Sequence, residues 1–300
     1  MKLLSYGPFL IVIAAILWGL DGVLRRSLYG LPPITIVFFE NLIGALLIAP
    51  FFLPKLWQEK LSKKEWWAIL FVSLFSGVLG TLFFTTALAK TGFIAFSVVF
   101  LLQKLQPVFT IGTAAIVLKE KVDSRFISWA ILALTAAYFV TFPGGVVNFE
   151  TGSGTAMAAL FAVGAAFAWA ISTAFSRFVL LGHSHTYTIG VRLFLTIPLS
   201  FITLLLLGEL TSLTTPTLGE IGRLTVIALS TGMVALWIYY RGLKHTQAKI
   251  STILELVFPL TGVFIDIFFY DTILSWSQYF AAAVLLFAVY NVSKLNRQVL

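Results

Sequence analysis

The sequence predicts an all-α integral membrane protein of ten transmembrane helices, built as two inverted five-helix repeats with both termini cytoplasmic. Three observations predict it. Hydrophobic residues make up 59% of the 300 positions and charged residues 11%, with a mean hydropathy of +0.99. Soluble domains carry about 25% charged residues, so this chain has too little polar surface to cover a water-soluble fold. The apolar residues also fall into segments of spanning length, and the two halves of the chain match each other at a fixed offset.

Ten segments suit the roughly 17–25 residues that a spanning helix needs. They are residues 7–27, 32–53, 67–88, 94–117, 125–142, 155–179, 186–207, 219–240, 249–269 and 275–293. Turn and charge signals separate them: Pro32-Pro33, the run Lys55 to Glu65, Lys119 to Arg125, Pro143-Gly144-Gly145, and Thr211 to Pro216. The first segment contains Asp21 and Arg25 and has no small-residue cleavage pattern after it, so it reads as a retained span. The absence of cysteine excludes disulfides, thiolate metal sites and thiol nucleophiles.

Loop charge sets the orientation. Fourteen Lys and Arg residues fall on the side of the N-terminus, four on the opposite side (Arg25, Arg26, Lys90, Arg223), and Lys104 and Arg192 lie within spans. Both termini are therefore expected in the cytoplasm, with the protein in the plasma membrane. The net charge of +8 is then a topology signal, and nucleic acid is not an expected partner.

The internal match has an offset near 151. Trp18 aligns with Trp169 and Arg26 with Arg177. "FENLIGALLIAP" (39–50) aligns with "GVRLFLTIPLS" (190–200), which pairs Asn41 with Arg192. "ALAK" (87–90) resembles "GLKH" (242–245), and "LQPVFT" (105–110) resembles "VFPLTG" (257–262), which pairs Pro107 with Pro259. An odd number of helices per half makes the halves enter the membrane from opposite sides, a design of secondary transporters with a midplane site between repeats.

The motifs "LWG" (17–19), "FAWA" (167–170), "LLQKLQPVFT" (101–110) with "LKEKV" (118–122), and "ILELVFPLTGVF" (253–264) resemble the ten-helix EamA-like branch of the drug/metabolite transporter superfamily. The likeness runs over nearly the whole chain, as repeats at 1–145 and 153–296 forming one transport unit. The second half departs from the pattern at "FYDTI" (269–273) and at Ala170. The resemblance implies a carrier of small organic metabolites, such as amino acids or related compounds, often an exporter, with no cofactor.

Polar residues inside spans locate a candidate site, because a charge at the bilayer centre costs about 2.5–3.5 kcal/mol. Lys104 lies roughly ten residues into the fourth span, about 15 Å deep at 1.5 Å per residue. Glu255, in the ninth span, is expected to oppose it across the seam between repeats. Gln103, Gln106, Thr110 and Thr113 share one helical face; Ser251, Glu255, Phe258, Gly262 and Asp266 share another. These stripes read as a substrate lining or as interhelical packing. Trp18 and Trp169 are candidate cavity walls. Pro107 and Pro259 are candidate helix bends, since proline removes a backbone hydrogen bond.

Asp21 and Glu40 lie in the outer part of the first two spans. Asp21 reads as an i,i+4 pair with Arg25, or with Glu40 as part of a gate or proton path. Arg192 reads as an anion contact or as a side chain snorkelling to the interface. Asp266 joins the gating or coupling set. His183 and His185 form H-x-H with no third ligand nearby, so no metal site is expected. No HExxH or GxSxG motif is present and no catalytic residue is assigned. The expected partners are a small-molecule substrate, lipid and, for coupling, protons; the expected state is a monomer or weak homodimer.

Overall fold

The computed structural model describes residues 6–28, 30–90, 102–146, 155–258, 260–261 and 275–296, and these are helices and their connectors, with no strand among them. Helix α1 is Tyr6–Arg26 and α2 is Pro33–Phe52, with a proline in its first turn where the missing N–H costs nothing. Helix α3, Lys63–Lys90, starts at a Ser62–Glu65 capping box and passes through a π-helical stretch, Ser73–Gly80. Helix α4 is Gln106–Val117, and α5, Ser124–Thr141, is capped by Asp123.

In the second half α6 is Thr155–Gly182 and α7, His185–Leu206, is capped by Ser184. Helix α8, Leu218–Lys244, starts at a Thr217–Glu220 capping box and is broken between Leu218–Leu229 and Met233–Lys244. Helix α9, Ala248–Leu254, tightens into a 3₁₀ turn, Glu255–Val257. Helix α10 is Trp276–Lys294, with Ser275 and Gln278 forming its capping box.

Six helical runs among the described residues are long and apolar enough to cross a membrane: Pro33–Trp57, Lys63–Lys90, Ser124–Thr141, Ala156–Gly182, His185–Leu206 and Leu218–Lys244. Shorter apolar helices cover Tyr6–Asp21 and Gln106–Val117. Large apolar side chains, among them Ile116, Leu160, Leu206 and Phe280, stand exposed on the outside. In water such a surface promotes association; in a bilayer it is the face that lipid solvates.

The fourth predicted span differs from a continuous helix. Residues 102–103 are helical, Lys104 and Leu105 form a turn, and α4 starts anew at Gln106, with 91–101 outside the described residues. Pro107 supplies the cause: it has no N–H for the carbonyl of Gln103, so the ladder stops and restarts with proline in the first turn. The bend expected at Pro107 is therefore a break. Pro259 and Asp266 fall outside the described residues.

The helices pack in pairs across the two halves. Helix α2 packs on α7, α4 on α9 and α5 on α10; α1 packs on α8 and on the α9 turn, and α6 packs on α3 and α4. Exchanging each helix with the one five places along leaves this pattern unchanged. Small residues allow close approach at the matching junctions. A Cβ on Gly242 would lie 2.7 Å from the carbonyl oxygen of Gly7, and Ala87 and Ala158 share one buried cluster where α3 meets α6.

Candidate functional site

The bundle encloses a cavity of about 250 Å³ lined from both halves. The interruptions within its helices border it: Ser76 and Gly77 of the π-helical stretch, Thr231 and Gly232 of the α8 break, Lys104 of the turn before α4, and Glu255 of the 3₁₀ turn. Irregular backbone at membrane depth is tolerated where it lines a polar cavity, and π-helical stretches recur at functional sites.

On one wall Arg25 is 5% exposed and anchors a cluster that joins three helices. Its Nε donates to Asp21 and its Nη2 donates to Glu40 Oε2 at 2.7 Å. Thr231 Oγ1, in the α8 break, donates to Asp21 Oδ1 at 2.6 Å. The i,i+4 pair of Asp21 and Arg25 is present, and Glu40 completes it from α2.

Arg192 is 8% exposed and turns inward, so it does not snorkel. Its Nη1 donates to the Tyr240 hydroxyl and its Nη2 to Ser76 Oγ, each at 2.8 Å. The Tyr240 hydroxyl also meets Ser176 Oγ at 2.8 Å. No carboxylate oxygen lies within 4.0 Å of this guanidinium among the described residues.

Glu255 accepts from the Tyr239 hydroxyl at 2.7 Å and from Gln106 Nε2 at 3.1 Å. The expected opposition of Glu255 and Lys104 takes a different form. Both border the cavity, but they form no ion pair within 4.0 Å. The carboxylate oxygens are engaged by Tyr239 and Gln106, while Lys104 sits on the turn before α4. Gln103 also borders the cavity; Ser251 lies behind it, beside the Tyr239 hydroxyl at 3.5 Å. Trp18 packs on Tyr239 with ring centroids 4.9 Å apart, and Trp169 packs on Phe84 at 5.4 Å. The repeat-matched tryptophans thus form separate aromatic walls.

Five cavity-lining side chains carry a buried polar atom with no protein partner: Arg25 Nη1, Gln103 Nε2, Ser172 Oγ, Arg192 Nε and Thr252 Oγ1. A buried unsatisfied donor costs about 1–3 kcal/mol. Five of the seven such atoms among the described residues border this cavity, the others being His185 Nε2 and Thr246 Oγ1, and that concentration suits a hydrogen-bonding ligand. Sequence reading passed over Ser172, Tyr239 and Tyr240. The spacing of Ser172 and Ser176, four apart on an apolar helix, was the available signal.

Two further clusters lie outside the cavity. Glu120, in the "LKEKV" motif, accepts from Arg177 Nη1 at 3.1 Å and from the backbone N–H groups of Ala248 at 2.8 Å and Lys249 at 3.0 Å. It thereby caps α9 from the other half of the chain. His183 lies between Glu59 (3.3 Å) and Glu65 (3.2 Å), joining the α2–α3 and α6–α7 connectors. Burial works against the Glu59 carboxylate, yet hydrogen bonds from the Ser184 hydroxyl and N–H and from His183 hold it below the usual carboxylate range.

An apolar-surfaced helical bundle with broken helices around a buried polar cavity defines a membrane transporter. The chain belongs to the EamA-like transporter family, whose profile matches it twice, over residues 5–142 and 156–294. It is 32% identical over 293 residues to the riboflavin transporter ImpX of Fusobacterium nucleatum subsp. nucleatum, covering 97% of this chain and 98% of the relative. A protein known from its crystal structure shares the fold at a TM-score of 0.73, with 16% identity over 97% of this chain and 99% of its own.

Proposed function

We propose that the chain is a secondary carrier that binds a planar, acceptor-rich aromatic metabolite in the central cavity and exposes it alternately to each side of the membrane. Riboflavin is the first candidate substrate. The observation that carries this reading is the pairing of aromatic walls, Trp18 with Tyr239 and Trp169 with Phe84, with the unpartnered donors of Arg25, Gln103 and Arg192. A flavin ring offers a π face to the first and carbonyl and ring-nitrogen acceptors to the second. The name of the relative supports the same substrate.

Ten spans as two inverted repeats, residues 1–145 and 153–296, with cytoplasmic termini in the plasma membrane, belong to the same proposal. The exchange-symmetric packing of the halves and the loop-charge bias support it. A secondary carrier is reversible, so net import or export follows the gradients of the substrate and any coupled ion.

One observation favours a second reading, an amino acid carrier. Lys104 and Glu255 border one cavity without pairing, an arrangement that suits a zwitterion's carboxylate and ammonium groups. Counterflow in proteoliposomes separates the two. Preloaded unlabelled riboflavin is expected to drive uptake of labelled riboflavin, and preloaded amino acids are not. Exchange of amino acids with no riboflavin exchange would replace the first reading with the second.

A further inference from the structure

We propose that Glu255 is a proton-binding site, and that substrate binding in the cavity moves a proton on or off its carboxylate. This rests on the carrier reading above. Of the cavity carboxylates, Asp21 and Glu40 are both ion-paired with Arg25. Glu255 is the exception. Both of its oxygens accept from neutral groups, the Tyr239 hydroxyl and the Gln106 amide, and no cation lies within 4.0 Å among the described residues. The neighbouring stretches outside the described residues, 91–101 and 262–274, contain no Lys, Arg or His.

A carboxylate without a counter-ion is expensive in a membrane interior, and two neutral donors offset only part of that cost. Taking up a proton removes that charge. The balance is simple: the carboxylate gains one proton, and the acid then donates its O–H. Gln106 can accept that bond by turning its amide to present its carbonyl oxygen.

The titratable and charged groups around the site are few. Tyr239 faces Glu255 from α8; the other titratable or charged groups bordering the cavity are Lys104 before α4, Asp21 and Arg25 of α1, Glu40 of α2, Arg192 of α7 and Tyr240 of α8. On α6, Arg177 is engaged by Glu120 and does not border the cavity, and no titratable residue of α5 or α10 borders it. Tyr239 is the connecting element. Its ring packs on Trp18, a wall of the proposed substrate site, while its hydroxyl donates to Glu255. A ligand that displaces the Tyr239 ring therefore alters the hydrogen bonding of the carboxylate, and with it the proton occupancy.

The test uses purified full-length protein in weakly buffered detergent with a pH-indicator dye. Riboflavin binding is read in parallel by quenching of tryptophan fluorescence. Binding to wild type is expected to change the proton count, and affinity is expected to vary with pH. The Glu255→Gln protein, whatever its affinity, is expected to show no proton change, while Glu255→Asp keeps the change with a displaced pH profile. If Glu255→Gln fails to fold, the infrared carboxyl signature of ligand binding in wild type, displaced in Glu255→Asp, gives the same answer. If riboflavin binds and no proton moves, or if Glu255→Gln retains the wild-type proton change, the proposal is overturned. If riboflavin does not bind, the substrate reading fails separately, and the dye measurement with the amino acid that counterflow selects decides the proton site.

Discussion

Arg192 shows what single residues do here. A guanidinium stays charged throughout the physiological range, yet this one is buried against two neutral hydroxyls with its Nε unpartnered. A ligand acceptor at that atom would complete it. Hydrogen bonds to charged groups are worth about 1.5–3 kcal/mol, so Arg192→Met is expected to weaken riboflavin binding about 10- to 100-fold. Fluorescence titration checks this; unchanged affinity would place the ligand elsewhere. Away from the cavity, the Glu59 carboxylate is held below its usual range by Ser184 and His183. Because the folded value is depressed, its stabilisation is full above an unfolded glutamate's value of about 4.3 and is lost as pH falls through the lower folded value. The melting temperature of wild type should therefore fall more than that of Glu59→Gln between about pH 5 and about pH 3. Much of the residue chemistry was legible: an apolar context singled out Lys104, Glu255, Arg192 and Asp21. The Asp21–Arg25 pair was legible too, but the contacts of Gln106 with Glu255 and of Ser76 with Arg192 were not, because these residues lie 149 and 116 positions apart in sequence.

At the level of elements, the informative features are the places where helices stop being regular. The π-helical stretch of α3 and the break in α8 occupy matching positions in the two halves, and both border the cavity. The sequence shows them only as the small-residue stretches "SGVLG" (76–80) and "STGMV" (230–234), which read as packing surfaces or bends. They are both. A Cβ on Gly77 would lie 2.5 Å from Thr196 Oγ1, so this irregular helix also packs closely on α7. Hydrophobic periodicity predicts that a helix exists but not where its hydrogen-bond ladder slips, and that is why Lys104 was expected mid-helix and lies on a turn. Close approach gives a direct test at the α2–α7 contact. A Cβ on Gly190 would lie 2.1 Å from Phe52 Cδ2. Gly190→Ala is expected to destabilise the protein by roughly 1–3 kcal/mol, as overpacking does, lowering its melting temperature in detergent. Shortening the partner in Gly190→Ala/Phe52→Leu should recover part of the loss.

On the scale of the whole molecule, alternating access requires contacts that close one end and can be released. Glu120 is suited to that role, since it joins α6, through Arg177, to the start of α9, the helix that carries Glu255. Removing its charge in Glu120→Gln weakens bonds to Arg177 and to two backbone N–H groups at a helix N-terminus. The chain contains no cysteine, so one introduced at the buried Thr246 reports on this end alone. Thr246→Cys is expected to react faster with a membrane-impermeant thiol reagent in the Glu120→Gln background; an unchanged rate would show that the contact is not a gate. The exchange-symmetric packing was foreshadowed by the offset of 151, whereas the contacts of Glu120 were not, because "LKEKV" resembles the family motif without showing what its glutamate touches.

The central claim is that substrate passes through the cavity between the halves. Labelled-riboflavin counterflow in proteoliposomes tests it with two bulky substitutions. Ser172→Trp puts an indole ring into the cavity, and Ile116→Trp puts the same ring on the exposed outer face of α4. With all three proteins folded and reconstituted equally, wild type and Ile116→Trp should exchange riboflavin while Ser172→Trp falls to the level of empty liposomes. Wild-type exchange by Ser172→Trp would contradict the account.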